Sequence, residues 1–209
     1  MRKALSCVLM MTLLLSGCQV GTQGGETPEE AALALREEYQ AMAGWSAAVD
    51  ISVCYSEAVF DFTLDARWRR EGETVLTVTA PELVAGITAR IAKGETVLEY
   101  DGAGLSLGML DGGGLTPVSA VTAIMEQIQR GYMAKCAWAG ENQEYLQISF
   151  EDPELDPNTG TRFLLTFDRA GHVLRSAEMS VAGETVLTAR ISDFTEMTQD
   201  DMGDSADLG

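Results

Sequence analysis

Apolar and polar residues change their period along this chain, and each change marks an element. Ala31, Leu35, Tyr39 and Met42 recur at helical spacing behind Thr27-Pro28-Glu29-Glu30, which supplies a cap, a proline at the first helical position and acids in the first turn. A helix is therefore predicted from Pro28 to about Met42, with Gly44 as its stop. From Trp45 the period falls to two. Val49, Ile51, Val53 and Tyr55 alternate with Asp50, Ser52 and Cys54, and Phe60, Phe62, Leu64, Ala66 and Trp68 alternate with Asp61, Thr63, Asp65, Arg67 and Arg69. Two long amphipathic strands in succession are predicted. Arg70-Glu71-Gly72-Glu73 turns the chain into a third, Thr74 to Ala80, which Pro81 breaks. Ile87 to Lys93 and Thr96 to Tyr100 form a hairpin around Gly94-Glu95, and a short strand follows near Leu105-Leu107.

Thr116-Pro117 opens a second helix whose apolar face is Val118, Val121, Ile124, Met125 and Ile128, and Gly131 stops it. Strands return over Tyr132 to Ala139, Glu144 to Glu151, Thr161 to Asp168, His172 to Val181 and Thr185 to about Phe194. Helix, strands, helix, strands is not a βαβ alternation, so a parallel nucleotide-binding sheet is disfavoured. The predicted class is α+β: one large curved antiparallel β-sheet, a half-barrel, with the two helices packed on its concave face. Phe60, Phe62, Leu64, Trp68, Leu146, Ile148, Phe150, Phe163, Leu165 and Phe167 all point to one face of their strands, where packing under the helices accounts for them.

The domain of residues 28–197 stands behind a different kind of segment. Met1-Arg2-Lys3 is a positive head, Ala4 to Leu15 an apolar run, and Leu15-Ser16-Gly17-Cys18 a small-residue close before a cysteine. This is the layout of a bacterial secretory signal, and its last four residues resemble a lipobox, after which Cys18 would be diacylated. Residues 1–17 are read as the signal peptide and 18–27 as a flexible tether. A plain cleaved signal is the alternative. A retained helix is disfavoured, because the run falls short of the roughly 20 residues that cross a bilayer. Two acyl chains would anchor the protein at about 0.8 kcal/mol per buried methylene. The expected location is the extracytoplasmic face of the cell membrane. Residues 198–209 read as a disordered acidic tail.

Charge narrows the partners. The chain carries 14 Lys and Arg against 32 Asp and Glu, a net −18, and losing Arg2 and Lys3 with the signal removes two positive charges to leave −20. Such a surface repels nucleic acid and anionic headgroups. An acidic face is ordinarily a solvated one, with a basic protein partner as the sharper alternative. Of the four cysteines, Cys7 leaves with the signal and Cys18 takes lipid. Cys54 and Cys136 are read as two separate, partly buried thiols, with a disulfide as the alternative if their strands are neighbours.

No catalytic constellation emerges. The single histidine, His172, follows a Gly171 turn and reads as an exposed turn residue, which leaves no multi-histidine zinc site or histidine-supported triad. Asp111-Gly112-Gly113-Gly114 lacks the helix and lysine of a phosphate loop. Asp152 to Gly160 has alternating oxygen ligands, but Pro157 and Phe163 stand where a calcium loop needs glycine and glutamate. The sequence thus predicts no enzyme, no metal and no cofactor.

A lipobox, a helix, a meander of long strands, the Thr116-Pro117 helix and a second meander together resemble the bacterial lipoprotein-carrier half-barrel group of LolA/LolB type. That group also includes sigma-factor regulators and clostridial sporulation or germination lipoproteins. The resemblance covers residues 28–197 and includes the local stretches Ala80-Pro81-Glu82-Leu83-Val84-Ala85-Gly86-Ile87 and Leu98-Glu99-Tyr100-Asp101-Gly102. One departure is that the carriers are soluble or end their pathway at an outer membrane, which this sequence does not indicate. The resemblance implies that the ten apolar residues from Phe60 to Phe167 line a cavity for a lipid, an acyl chain or a lipidated protein. The alternative is an adaptor with a filled core that holds a cell-envelope protein, with a homodimer through exposed sheet edges as a further option.

Overall fold

The first and last strands meet in the middle of the sheet. The computed structural model describes residues 25–55, 58–70, 72–109, 116–154 and 159–198. The signal, Cys18, most of the tether, the 111–114 loop and the tail beyond 198 lie outside the described residues. Helix α1 (Pro28–Ala41) precedes β1 (Gly44–Tyr55), β2 (Ala58–Arg69), β3 (Thr74–Ala80), a short 3-10 turn (Glu82–Val84), β4 (Thr88–Ala92), β5 (Glu95–Tyr100) and β6 (Ala103–Met109). Helix α2 (Pro117–Arg130) leads to β7 (Met133–Ala139), β8 (Tyr145–Glu151), β9 (Thr161–Asp168), β10 (Leu174–Val181) and β11 (Glu184–Met197). All the strands form one 11-stranded sheet in the order β6-β5-β4-β3-β2-β1-β11-β10-β9-β8-β7.

Every pairing is antiparallel, and β1 is flanked by β2 and β11, with Val49 opposite both Leu64 and Ile191. Two meanders therefore spread outward from β1 and β11 to the edges β6 and β7. The chain must pass from one edge to the other between them, and α2 makes that crossing over a sheet face. Its stripe of Ala120, Val121, Ile124, Met125 and Ile128 is buried. Bulges at Ser46/Ala48, Thr63/Leu64, Thr96/Val97 and Met179/Ser180 supply the local twist that curls an open sheet into a half-barrel.

Both helix starts are capped as the sequence suggests. Thr27 and Glu30 form a reciprocal capping box, and Thr116 pairs in the same way with Ser119. Gly44, expected to stop α1, is instead the first residue of β1: the helix has ended at Ala41, and the Met42 N–H closes on the Glu38 carbonyl. Glycine is needed at 44 for space, since a Cβ there would sit 2.7 Å from the Trp68 carbonyl oxygen. Strand β6 is also longer than the short piece expected near Leu105-Leu107.

Candidate functional site

The ten residues expected to line one concave face alternate onto one side of their strands, where most are packed into the core and Phe163 also reaches a cleft beside α2. Leu64, Leu146, Ile148, Phe150, Phe163, Leu165 and Phe167 are buried in the core. Phe62 and Trp68 are partly buried and pack against it, and Phe60 alone is exposed, at 47%. The reason is the position of α1. Its buried Ala31, Ala32, Leu35 and Tyr39 fill the space over the β7–β11 half of the sheet, with Tyr39 edge-on to Phe167 at 5.8 Å. Each large apolar side chain so covered adds about 1.5–3 kcal/mol relative to exposure, which favours closure over an empty channel.

Polar contacts pin the helices in that place. Arg36 Nε donates to the Ile128 carbonyl at 3.0 Å and its Nη2 to the Gly131 carbonyl at 2.5 Å, while Gln40 donates to the Gln129 carbonyl at 2.7 Å. Burial lowers the Arg36 guanidinium from its ordinary value. One turn beyond Arg36 the Tyr39 hydroxyl donates to the His172 carbonyl and accepts the Leu174 N–H, both at 3.1 Å. Desolvation holds this phenol well above its usual range, against the lowering effect of the Leu174 N–H. His172 is not the exposed turn residue expected: it is half-buried, and its Nδ1 lies 2.8 Å from Glu38 Oε2. These contacts were invisible in sequence because Arg36, Glu38 and Gln40 read as an ordinary polar helix flank.

Apolar space remains beside α2. A half-open cleft of ≈ 420 Å³ runs between Ile91 and Thr96 on one side and Phe163 and Met179 on the other, with Thr122, Ala123 and Glu126 of α2 at its wall. The Thr122 hydroxyl is buried there without a partner among the described residues.

Apolar surface is exposed elsewhere. Register places the β1–β2 hairpin, the β3–β4 link and the β5–β6 turn at one end of the sheet. Tyr55, Phe60, Leu83, Tyr100 and Leu105 are all exposed at that end, Leu83 to 92% and Leu105 to 60%. Tyr55 and Phe60 meet edge-on at 5.9 Å. On the opposite sheet face Arg90 bridges Glu73 at 2.6 Å and Glu99 at 2.9 Å, and the Glu99 hydrogen bond above all raises its guanidinium.

The disulfide considered between Cys54 and Cys136 is absent: both are free thiols. Cys54 lies in β1 and Cys136 in the edge strand β7, with β11, β10, β9 and β8 between them, so no bond can span the gap. Among the described residues no cluster of three or more His, Cys, Asp or Glu could hold a metal. Nor is any helix of the described residues long and apolar enough to cross a membrane.

The fold and this site define an architecture: an open antiparallel half-barrel whose concave face is occupied by two helices. Solved structures similar to the chain include a LolA superfamily protein from Nitrosomonas europaea, with 11% identity, TM-score 0.44, and coverage of 83% of this chain and 95% of that one. A chain in the complex of the CwlD amidase with the GerS lipoprotein from Clostridioides difficile is 14% identical at TM-score 0.46, covering 84% and 99%. An outer membrane lipoprotein-sorting protein domain from Vibrio parahaemolyticus is 9% identical at TM-score 0.47, covering 85% and 97%. No family model matches the chain, and no curated protein does.

Proposed function

We propose that this protein is a non-enzymatic adaptor, anchored through a diacylated Cys18 on the extracytoplasmic face of the cell membrane, that holds a cell-envelope protein partner. The observation that carries the reading is the contrast between a filled interior and a dressed rim. Phe150, Phe163, Leu165 and Phe167 are spent on the core, whereas Tyr55, Phe60, Leu83, Tyr100 and Leu105 stand in water at one end. Small-molecule sites enclose their ligand, but an exposed surface with aromatic and leucine side chains suits a protein partner.

Photocrosslinking in intact cells from Leu83 tests this reading. A stable envelope protein at Leu83, lost when Phe60 and Leu105 are changed to serine, is the expected result. Recovery of bound lipid with no protein partner would overturn it.

The cleft beside α2 favours a second reading, in which an acyl chain or part of a lipidated protein lies between Phe163 and Met179. Its volume of ≈ 420 Å³ falls in the lower part of the range for ligand pockets, about 300–1,000 Å³. Lipid extraction from the purified mature chain, read by mass spectrometry, decides between the two.

A further inference from the structure

The two edges of the sheet are treated differently by the sequence. Strand β7 carries Lys135, is packed by α1, and has Trp138 covered by the Arg169 guanidinium at 3.9 Å. Strand β6 reads Ala-Gly-Leu-Ser-Leu-Gly-Met, with no charge and no proline, and residues 103–107 are exposed. Native edges are normally blunted by lysine, proline or a covering element, because their unpaired N–H and C=O groups template another strand. Among the described residues none of these three is present at β6, and its one bulge, opposite Thr96/Val97, leaves residues 103–106 in regular pairing.

One residue in this edge has no explanation inside the chain. Gly104 stands directly opposite Glu99 of β5. Among the described residues a Cβ there would meet only Val97 Cγ1, at 3.9 Å, so space does not demand glycine, and its φ lies outside the left-handed region. Glycine in a strand costs about 0.5–1 kcal/mol against alanine. What it does provide is a lane: with Gly104 and then Ser106 on the outer face, almost no side chain separates an added strand from Glu99. Two strand spacings, about 9.6 Å, are within the combined reach of a long basic side chain and a glutamate. On the other face, exposed Leu105 lies opposite Leu98 and offers an apolar seat.

Charge selects the occupant. Glu82, Glu95, Glu99 and Asp101 gather on this flank, where Arg90 and Lys93 are the cations and Arg90 is already shared by Glu73 and Glu99. A second copy of a chain at −18 would add repulsion along the whole edge. We propose that β6 accepts an extended segment of a partner protein as an additional strand, one with apolar side chains toward Leu105 and lysine or arginine across Gly104 toward Glu99. This deepens the adaptor reading and rests on it.

Two peptide probes test the chemistry: acetylated octapeptides of alternating valine and lysine and of alternating valine and glutamate, titrated against the purified mature chain. The lysine peptide is expected to slow hydrogen exchange over residues 103–109, and the glutamate peptide to bind at least about tenfold more weakly. Gly104→Val should weaken the lysine peptide by at least about tenfold without lowering the melting temperature, and Leu33→Lys, on exposed α1 surface, should change nothing. Equal binding of both peptides, protection away from β6, or a dimer in sedimentation that Gly104→Val dissociates would overturn the proposal. In cells, a photocrosslinker at Ser106 is compared with one at Leu83. Capture at Ser106 that Gly104→Val abolishes supports strand addition. Capture at Leu83 alone overturns strand addition and leaves the adaptor reading standing, whereas no envelope protein at either position overturns both.

Discussion

Arg36 on the first helix caps Ile128 at the end of the second: its Nε donates to the Ile128 carbonyl oxygen at 3.0 Å, and its Nη2 to the Gly131 carbonyl at 2.5 Å. The last carbonyls of a helix have no partner within it and carry its negative pole. One guanidinium satisfies two of them and docks α1 against α2 in the same geometry. Arg36→Ala is expected to cost about 2–3 kcal/mol, from charge-assisted bonds lost in a part-buried place, and to lower the melting temperature by roughly 4–12 °C. Arg36→Lys should recover only part of this, since an ammonium cannot reproduce the planar fork. Equal melting temperatures for wild type and Arg36→Ala would refute the clamp.

The Tyr39 hydroxyl makes a second join one turn further along α1, between the His172 carbonyl and the Leu174 N–H. Tyr39→Phe keeps the ring and removes both bonds, leaving two groups unsatisfied, so a loss of about 1–3 kcal/mol is expected in denaturant unfolding. The pH sign is fixed by the raised phenol. A tyrosine whose pKa is higher folded than unfolded contributes stability in full below the unfolded value of about 10 and loses it as pH rises beyond. Wild type should therefore lose stability above about pH 10 more steeply than Tyr39→Phe. In absorbance titration, one of the five tyrosines should ionise only with unfolding.

Much of this molecule was legible as pattern. Val49, Ile51 and Val53 alternate cleanly with polar neighbours, and β1 follows them into the sheet centre. Thr27-Pro28 and Thr116-Pro117 mark both helix starts because capping is a local transaction. The state of the interior was not legible, for an equally plain reason. Phe163, Leu165 and Phe167 would point inward in the same alternation whether a helix or an acyl chain covered them, and only the packing of α1 decides it. Gly44 misled because a helix stop and a close strand approach both call for the smallest residue. His172 misled because its partner, Glu38, is distant in sequence and arrives only when α1 docks.

Asp168 organises the β9–β10 turn through Oδ1, which accepts the Gly171 N–H at 2.9 Å and the Ala170 N–H at 3.0 Å. The Gly171 bond above all holds its carboxyl below the usual range, with Arg175 adding to the effect. A carboxylate depressed in the folded state contributes stability above its unfolded pKa, near 3.9, and loses it as pH falls through the lower folded value. Asp168→Asn should melt about 2–4 °C below wild type at neutral pH, and the two curves should converge in acid as pH falls through the lowered folded value. A difference that persists into acid would mean that the carboxylate charge is not what holds the turn.

The two domain thiols should react at different rates. Cys54 is exposed, whereas Cys136 is half-buried and its thiol is raised, first by desolvation and then by Glu29, against the opposing Arg36. Less thiolate at a given pH means slower attack. The mature chain should yield two equivalents with an aromatic disulfide reagent without prior reduction, Cys54 first and Cys136 at least about tenfold slower. Arg36→Ala should slow Cys136 further. Thiols that appear only after reduction would restore the disulfide.

Filling the cleft beside α2 separates the two functional readings without touching the rim. Ala123 is partly buried on α2 at the wall of the ≈ 420 Å³ cleft, opposite Phe163 and Met179. Ala123→Phe would place a ring among these apolar neighbours. Burial of part of that ring should raise stability by up to about 1 kcal/mol, or leave it unchanged where Thr122 and Glu126 resist repacking. If the protein is an adaptor acting through its rim, partner capture from Leu83 should be the same in Ala123→Phe as in wild type, and a fluorescent fatty acid should bind neither. If the cleft holds an acyl chain, wild type should bind the probe and Ala123→Phe should lose it by about tenfold or more, with melting temperature not lowered. The cleft's half-open form and the packed core behind it favour the first outcome, because a chain lying there would keep one side in water and forfeit much of the burial that drives acyl binding.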